Sequence, residues 1–363
     1  RSSTASHHAH AARQEKLHVA LLEALVERRV DQVDGVRAVG QRRLDLVERL
    51  RHAVHRHSVK PRLTEARVSA MEPAIRRIAQ EAVAIWLDNG AGDFIPVAEM
   101  VPAKVIGQLL GLPDGDAERH RNWAMVGGEM LAGDVDLPRM LNLAEQNAGM
   151  TEYLGEHLEN AAAGTAAPDE ASLLQLLAAA IREGTISRSE AIGISLVMFG
   201  AGGESTSALL GSAVRLLAAD PSLAGHLREN PEVISRFVEE AVRMEPPFKF
   251  HYRVVRRTCE LAGFELQPGD RLMLLWAAAN RDPAVFEDPN QLRLNRKHPK
   301  HHVSFGRGSH FCVGAQLARL EVRLVIEELL SRSAQISLDP KRPPVHARSI
   351  FTRRLESLPL VAE

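Results

Sequence analysis

The chain has 363 residues, 45% hydrophobic and 25% charged, a globular composition with ample material for a large core. Its formal net charge of -1 gives no bulk attraction to nucleic acid or to an anionic membrane surface. Two cysteines, Cys259 and Cys312, make no disulfide framework and fit a reducing compartment. The longest apolar run, Ile194 to Gly203, is well short of the ~20 residues that cross a bilayer. No charged, apolar, small-residue signal pattern opens the chain, so it reads as soluble and cytoplasmic.

Residues 1–45 form an N-terminal segment of uncertain structure. Arg1 to Ala12 is rich in Ser, His and Ala, and Leu17, Leu21, Leu22, Leu25 and Val26 then recur at helical spacing. Arg42 to His57 is a basic helical stretch. Pro61 to Leu87 predicts one long amphipathic helix with Ile75, Ile78, Ala82, Ile85 and Trp86 on its apolar stripe. Val101 to Leu112 predicts another, closed by the Leu112-Pro113-Asp114-Gly115-Asp116 turn. Helical pattern interrupted by Gly127, Gly128 and Gly133 runs from 117 to 160, and Ala161 to Pro168 is a small-residue connector. Ser172 to Arg182 is a short helix. Ser187 to Leu217 is a long one, apolar nearly all round, with Ser187 and Glu190 placed for a capping box.

The middle of that long helix reads Ala201-Gly202-Gly203-Glu204-Ser205-Thr206. Each glycine costs a helix interior about 1 kcal/mol relative to alanine, so packing or function must offset the pair. In the next helix, Pro231 to Met244, Glu240 and Arg243 lie three apart and share a face. Phe248 to Asp270 turns to strand and turn, and Leu272 to Ala279 is expected as a short buried apolar element. A polar meander over 284–304 then leads to Phe305-Gly306-Arg307-Gly308-Ser309-His310-Phe311-Cys312-Val313-Gly314 and a helix from Ala315 to Leu330. Glycines let backbone N–H groups approach a sulfur. A thiolate at a helix N-terminus is expected to have a lowered pKa and to ligate metal strongly.

This last stretch closely resembles the haem-binding loop of the cytochrome P-450 family, matching at Phe305, Gly306, Gly308, His310, Cys312, Gly314, Leu317, Ala318 and Glu321. The Ala201–Thr206 run resembles the family's glycine, acid and hydroxyl pattern, with Ser205 where threonine is usual, and Glu240 with Arg243 resembles its E-x-x-R helix. The resemblance implies a mainly α fold with a small β region, and one haem-thiolate catalytic domain over 46–363. Haem b would lie between the central helix and the cysteine loop.

It further implies that Cys312 is the axial iron ligand and that Glu204, Ser205 and Thr206 relay protons. Arg51, Ala201, Gly202, Arg253, Phe305, Gly306, His310 and Gly314 would contact the cofactor. Gln291 stands where the third member of the E-x-x-R network is commonly arginine, so that triad is expected to be incomplete. Val197, Lys249, Ile350 and Phe351 are the substrate-facing candidates, Lys249 favouring an acidic or carrier-bound small molecule. Arg296, Lys297, Lys300, Arg307, Arg319 and Arg323 flank the loop and suit an acidic donor such as ferredoxin, itself served by ferredoxin reductase. The implied activity is monooxygenation of a small organic molecule, in secondary metabolism. Two other readings stand beside it: a zinc site drawn from His301, His302, His310 and Cys312, and a catalytically silent haem-fold recruitment or sensor module.

Overall fold

The computed structural model describes residues 36–132, 135–164 and 171–363. The Arg1–Ala12 tract, the Leu17–Val26 pattern, Gly133 and part of the 161–168 connector lie outside them.

A helical series comes first: α1 (Val36–Val59), α2 (Glu65–Ala70), α3 (Glu72–Asp88), α4 (Ile95–Leu110), α5 (Ala117–Ala132), α6 (Leu137–Ala163) and α7 (Leu173–Arg182). The 31-residue α8 (Arg188–Ala218) follows, then α9 (Pro221–Glu229) and α10 (Ile234–Met244). The strands form small antiparallel pairings, most of them from segments beyond α10. Strand β1 (Gly92–Asp93) joins β9 (Pro359–Ala362), which also pairs with β6 (Ile336–Leu338). Strand β2 (His251–Val254) pairs with β5 (Arg271–Leu274), β3 (Cys259–Leu261) with β4 (Phe264–Leu266), and β7 (Val345–His346) with β8 (Leu355–Ser357). The one-turn α11 (Trp276–Ala279) and the long α12 (Ala315–Arg332) bracket the irregular stretch that carries the cysteine loop. The mainly helical architecture with a small β region is the one expected.

Local chemistry explains the boundaries. The capping box at the start of α8 is present: Ser187 accepts from the Glu190 N–H at 3.2 Å, and the Glu190 carboxylate accepts from the Ser187 N–H at 2.7 Å. Pro61 to Leu87 is not one helix. A 3-10 turn, then α2 capped by Thr64, precedes a break at Met71, because Pro73 lacks the N–H that would continue the ladder. The buried stripe survives the break as Ile75, Ile78, Ala79, Val83 and Trp86, whereas Ile85 is 60% exposed. Helix α4 begins six residues before the predicted start at Val101, with Pro102 tolerated inside it. The 272–279 stretch is a strand plus α11 rather than a buried element, with Met273 45% and Leu275 51% exposed.

The core wraps α8. A Cβ on Gly203 would stand 2.3 Å from the Ala124 Cβ of α5, and one on Gly202 would stand 2.9 Å from Ile106 of α4. The two glycines that weaken the helix therefore let its neighbours close on it. Backbone approach at this distance is open only to glycine.

A buried charge cluster joins α10 to the stretch before the cysteine loop. Arg243 donates to both Glu240 oxygens, at 2.7 and 2.9 Å, and Arg296 donates to Glu240 Oε1 at 2.9 Å. Arg243 also reaches the carbonyls of Asn280, Pro289 and Gln291, and Arg296 those of Glu287, Asp288 and Gln291. Burial alone would raise the Glu240 pKa, but Arg243, the Arg293 N–H and Arg296 more than offset it, so it lies below the ordinary value. The triad is complete, its third member being Arg296; Gln291 supplies only its carbonyl. Replacing Arg296 by Met should cost about 3–5 kcal/mol, since it strips a partner from a buried carboxylate. Gln291→Ala should stay within about 0.5 kcal/mol. Denaturant unfolding of the two variants measures the contrast.

Candidate functional site

A cavity of about 590 Å³ opens between α8 and the loop over 305–314, and its walls are mainly apolar. Phe305, Gly306, His310, Cys312 and Gly314 line one side. The loop's course needs its glycines, for Gly306 and Gly308 have φ of 71° and 72°. The Cys312 N–H donates to the Phe305 carbonyl at 2.8 Å, closing the turn just before α12. Arg319, from α12, lies over the Phe305 ring, its guanidinium carbon 4.4 Å from the centroid. The same guanidinium holds Glu239 of α10 at 2.6 and 3.1 Å, and Glu239 also pairs with His302 at 2.9 Å.

Cys312 is a free, exposed cysteine that lines the cavity. Burial pushes its thiol up; the Gly314 N–H, Arg319 and Arg56 pull it back without reversing the direction. The lowered pKa expected of a thiolate at this helix start is therefore not a property of the loop by itself. The loop instead supplies the groups that would stabilise a thiolate once a metal displaces the proton.

The opposite wall is α8. Ala201, Gly202, Ser205 and Thr206 line the cavity, and the Ser205 hydroxyl donates to the Ala201 carbonyl at 2.5 Å. Glu204 is turned away, towards α5. A Cβ on Gly128 would stand 1.4 Å from Glu204 Oε2, so the carboxyl occupies the space that glycine leaves. Burial drives its pKa to about 7, against the pull of Arg354 and the Thr352 hydroxyl.

The basic helix α1 meets the cysteine loop through residues other than the expected Arg51. Arg51 pairs with Glu190 at 2.5 Å, 63% exposed, and does not line the cavity. Its neighbour His52 stacks on His310, ring centroids 4.1 Å apart, and Arg56 donates to the Phe311 carbonyl at 2.7 Å. His52 and Arg56 lie four apart on one face of α1, five positions beyond the register that would use Arg51. Arg253 lines the cavity and donates to its neighbour's carbonyl at Tyr252.

Of the substrate-facing candidates, Val197 is 68% and Ile350 67% exposed, and neither belongs to the cavity wall. Lys249 donates to the Ser349 carbonyl at 2.5 Å and does not belong to the cavity wall. Phe351 stands behind the wall, packed on Phe248 and His251 at 5.1 and 5.3 Å. The wall itself includes Ile106, Met198, Phe248, His251, Trp276 and Glu321, which no motif assigned to it. Glu321 was legible as a motif match but carried no chemistry. It is 3% exposed, its Oε2 has no hydrogen-bond partner, and burial lifts its pKa to about 8.

The donor set suits a largely apolar group with one thiolate ligand and acidic substituents near Arg253 and His310, which line the cavity, with His52 stacked on His310 and Arg56 held at Phe311 beside them. It does not suit zinc. Among the described residues no three His, Cys, Asp or Glu side chains converge on a metal position. His301 stacks on His298, while His302 is held by Glu239. No described helix is long and apolar enough to cross a membrane.

The family model for cytochrome P450 matches residues 142–351. Cytochrome P450 144 of Mycobacterium tuberculosis is 40% identical over 316 residues, 86% of this chain and 71% of that protein. Erythromycin C-12 hydroxylase of Saccharopolyspora erythraea is 32% identical over 293 residues, 79% of this chain and 72% of that enzyme. The solved structure of P450BioI with an acyl carrier protein bearing hexadec-9Z-enoic acid superposes with a TM-score of 0.79 at 26% identity, covering 86% of this chain and 79% of that one.

Glu321 makes stability depend on pH. Its folded pKa is raised above the ordinary 4.5, so the stability it allows is present below that value and is lost as pH rises through about 8. Glu321→Gln should remove this alkaline loss, read as a Tm less sensitive to pH than that of the unmodified protein.

Proposed function

Because the chain belongs to the cytochrome P450 family of haem-thiolate monooxygenases, we propose that it binds haem b in the cavity beside Cys312 and oxidises a small organic molecule there. The observation that carries this reading is a single thiol on one wall of a mainly apolar cavity, facing a helix that presents two hydroxyls. When bound, haem supplies the oxygen and one-electron chemistry. Cys312 would supply its thiolate ligand, with the Gly314 N–H, Arg319 and Arg56 offsetting the negative charge on sulfur. Ala201 and Gly202 leave one wall low enough for a flat group. His52, Arg56, Arg253 and His310 would take its carboxylates through charge-assisted bonds. Arg56 with His52 fits that role better than Arg51, whose guanidinium is engaged by Glu190.

The chain's own residues handle the protons. Ser205 Oγ and the Thr206 hydroxyl face the cavity, and each can donate and accept. Glu204, on the other side of the helix, holds a proton at its carboxyl near neutrality and serves as the store behind them. Lacking the methyl of threonine, Ser205 has a freer rotor, which favours loss of electrons to peroxide.

Electrons would come from an acidic carrier of the ferredoxin kind, reduced by its own reductase, in a cytoplasmic setting. Arg296, Arg319 and Arg323 are consumed by Glu240, Glu239 and Glu72 with Glu327. Lys297, Lys300 and Arg307 remain as the exposed cations on the outer side of the cysteine loop. Relatives named for the hydroxylation of erythromycin and the epoxidation of cyclomarin C support a secondary metabolite as substrate. Lys249, bound to Ser349, gives no support to an acidic or carrier-bound one.

The reduced protein exposed to carbon monoxide should show the strongly red-shifted Soret band of thiolate-ligated haem, and Cys312→Ser should abolish it. A folded protein that takes up haem without that band overturns the assignment. Ser205→Ala should cut product formed per electron by roughly tenfold or more, with peroxide rising in step, while Ser205→Thr should improve the yield.

A further inference from the structure

Glu204 is the proton store of the proposed reaction, yet it faces away from the cavity, and the nearest cation to it lies on a loop that also faces the cavity wall. Arg354 Nε stands 3.9 Å from Glu204 Oε1, the edge of ion-pair contact, with the arginine side chain 22% exposed and the glutamate 5%. On the same loop Thr352, which is buried, has its hydroxyl beside the same carboxyl.

This loop is joined to the cavity. Thr352 bridges Phe248, the Lys249 N–H donates to the Phe351 carbonyl at 2.9 Å, and the Arg353 N–H donates to the Pro247 carbonyl at 2.7 Å. Pro247, Phe248 and His251 belong to the cavity wall. The Phe351 ring packs on Phe248 and His251 from behind, as described above. Only Thr352 and Arg353 separate Phe351, behind the wall, from Arg354, against Glu204.

We propose that Arg354 is a positioning residue for the Glu204 carboxyl, and that the loop it shares with Phe351 couples what fills the cavity to the charge state of that carboxyl. The proposal rests on the reading of Glu204 as a proton store. At 3.9 Å the attraction is only partly developed, and Coulomb energy varies inversely with distance. A small displacement of the loop therefore strengthens or weakens the attraction, loading or releasing a proton. Two other acids near the site, Glu129 and Glu99, also feel Arg354, but each has a closer arginine of its own. Glu129 of α5 is held through both its oxygens by Arg139, and Glu99 of α4 pairs with Arg121 of α5 at 3.1 Å. Gly128 adds no group. Arg354 is thus the partner of Glu204 whose position the cavity wall can alter.

The test is infrared titration of the carboxylic acid C=O band in the haem-loaded full chain. The band is assigned to Glu204 by its loss in Glu204→Gln, with Glu321→Gln marking the second buried acid. Arg354→Gln should move the Glu204 midpoint upward by about one pH unit or more, and Arg354→Lys, which keeps the charge, should leave it near the original value. Phe351→Ala, and filling the cavity with 4-phenylimidazole, should each displace the midpoint without touching Glu204. An unmoved midpoint in Arg354→Gln overturns the positioning role. A midpoint indifferent to both Phe351→Ala and 4-phenylimidazole overturns the coupling. The proton-store reading fails separately, if Glu204→Gln leaves product per electron unchanged while the titration behaves as proposed.

Discussion

A carboxylate with almost no access to water, Glu240, lies at the root of the cysteine loop. Removed from solvent it would be costly, and it is tolerated because two guanidinium groups and a backbone N–H surround it. The guanidinium groups have donors to spare, and those reach backbone carbonyls between Asn280 and Gln291. An irregular stretch with little regular hydrogen bonding of its own thereby gains fixed partners. Asn280 carries the fixation forward, donating to Ser304 Oγ at 2.7 Å and accepting from the Val303 N–H at 2.8 Å. Phe305 follows at once, and the turn that presents Cys312 begins there. Glu239, the neighbouring residue on α10, does the same for α12 through Arg319. Two adjacent acids therefore fix both ends of the thiol's support.

The central helix divides its labour by face. Ser205 and Thr206 present hydroxyls to the cavity. Gly203 gives its side to Ala124 on α5, and Gly202 lines the cavity next to Ile106 of α4, which its missing side chain lets approach. Glu204 projects into a space that exists because Gly128 has no side chain. The helix is destabilised locally by its glycines, and the neighbours that approach as a result bury it. The same approach desolvates Glu204 enough to hold its pKa near neutrality. A single packing arrangement thus sets the helix's position and the acid's proton affinity together.

Much of the basic character around the loop is internal. Arg296, Arg319 and Arg323 are structural ties, and Arg51 with His55 fastens α1 to the capping box of α8 through Glu190. That attachment, at the far end of the central helix, is what brings His52 and Arg56 to the cysteine loop. The cation surface left for a partner is smaller than a charge count along the sequence implies, and lies on Lys297, Lys300 and Arg307.

What the sequence determined by itself was everything carried by local spacing. The cysteine loop with its glycines, the capping box, the glycine–acid–hydroxyl run and the Glu240–Arg243 face depend on residues within a few positions of one another. Tertiary structure decided what depends on distant partners. Arg296 completes a triad from 56 residues beyond Glu240 in the chain; Glu204 turns from the cavity because of a glycine on another helix; and Val197 and Ile350 lie exposed while Phe351 stands behind the wall. The cavity wall is drawn from α4, α8, α11 and the segment before β2, and no periodicity within any one of them records which faces will meet. Burial sets the pKa values of Glu204, Glu321 and Cys312, and burial is a property of the assembled fold, because desolvation arises from atoms that only folding brings near.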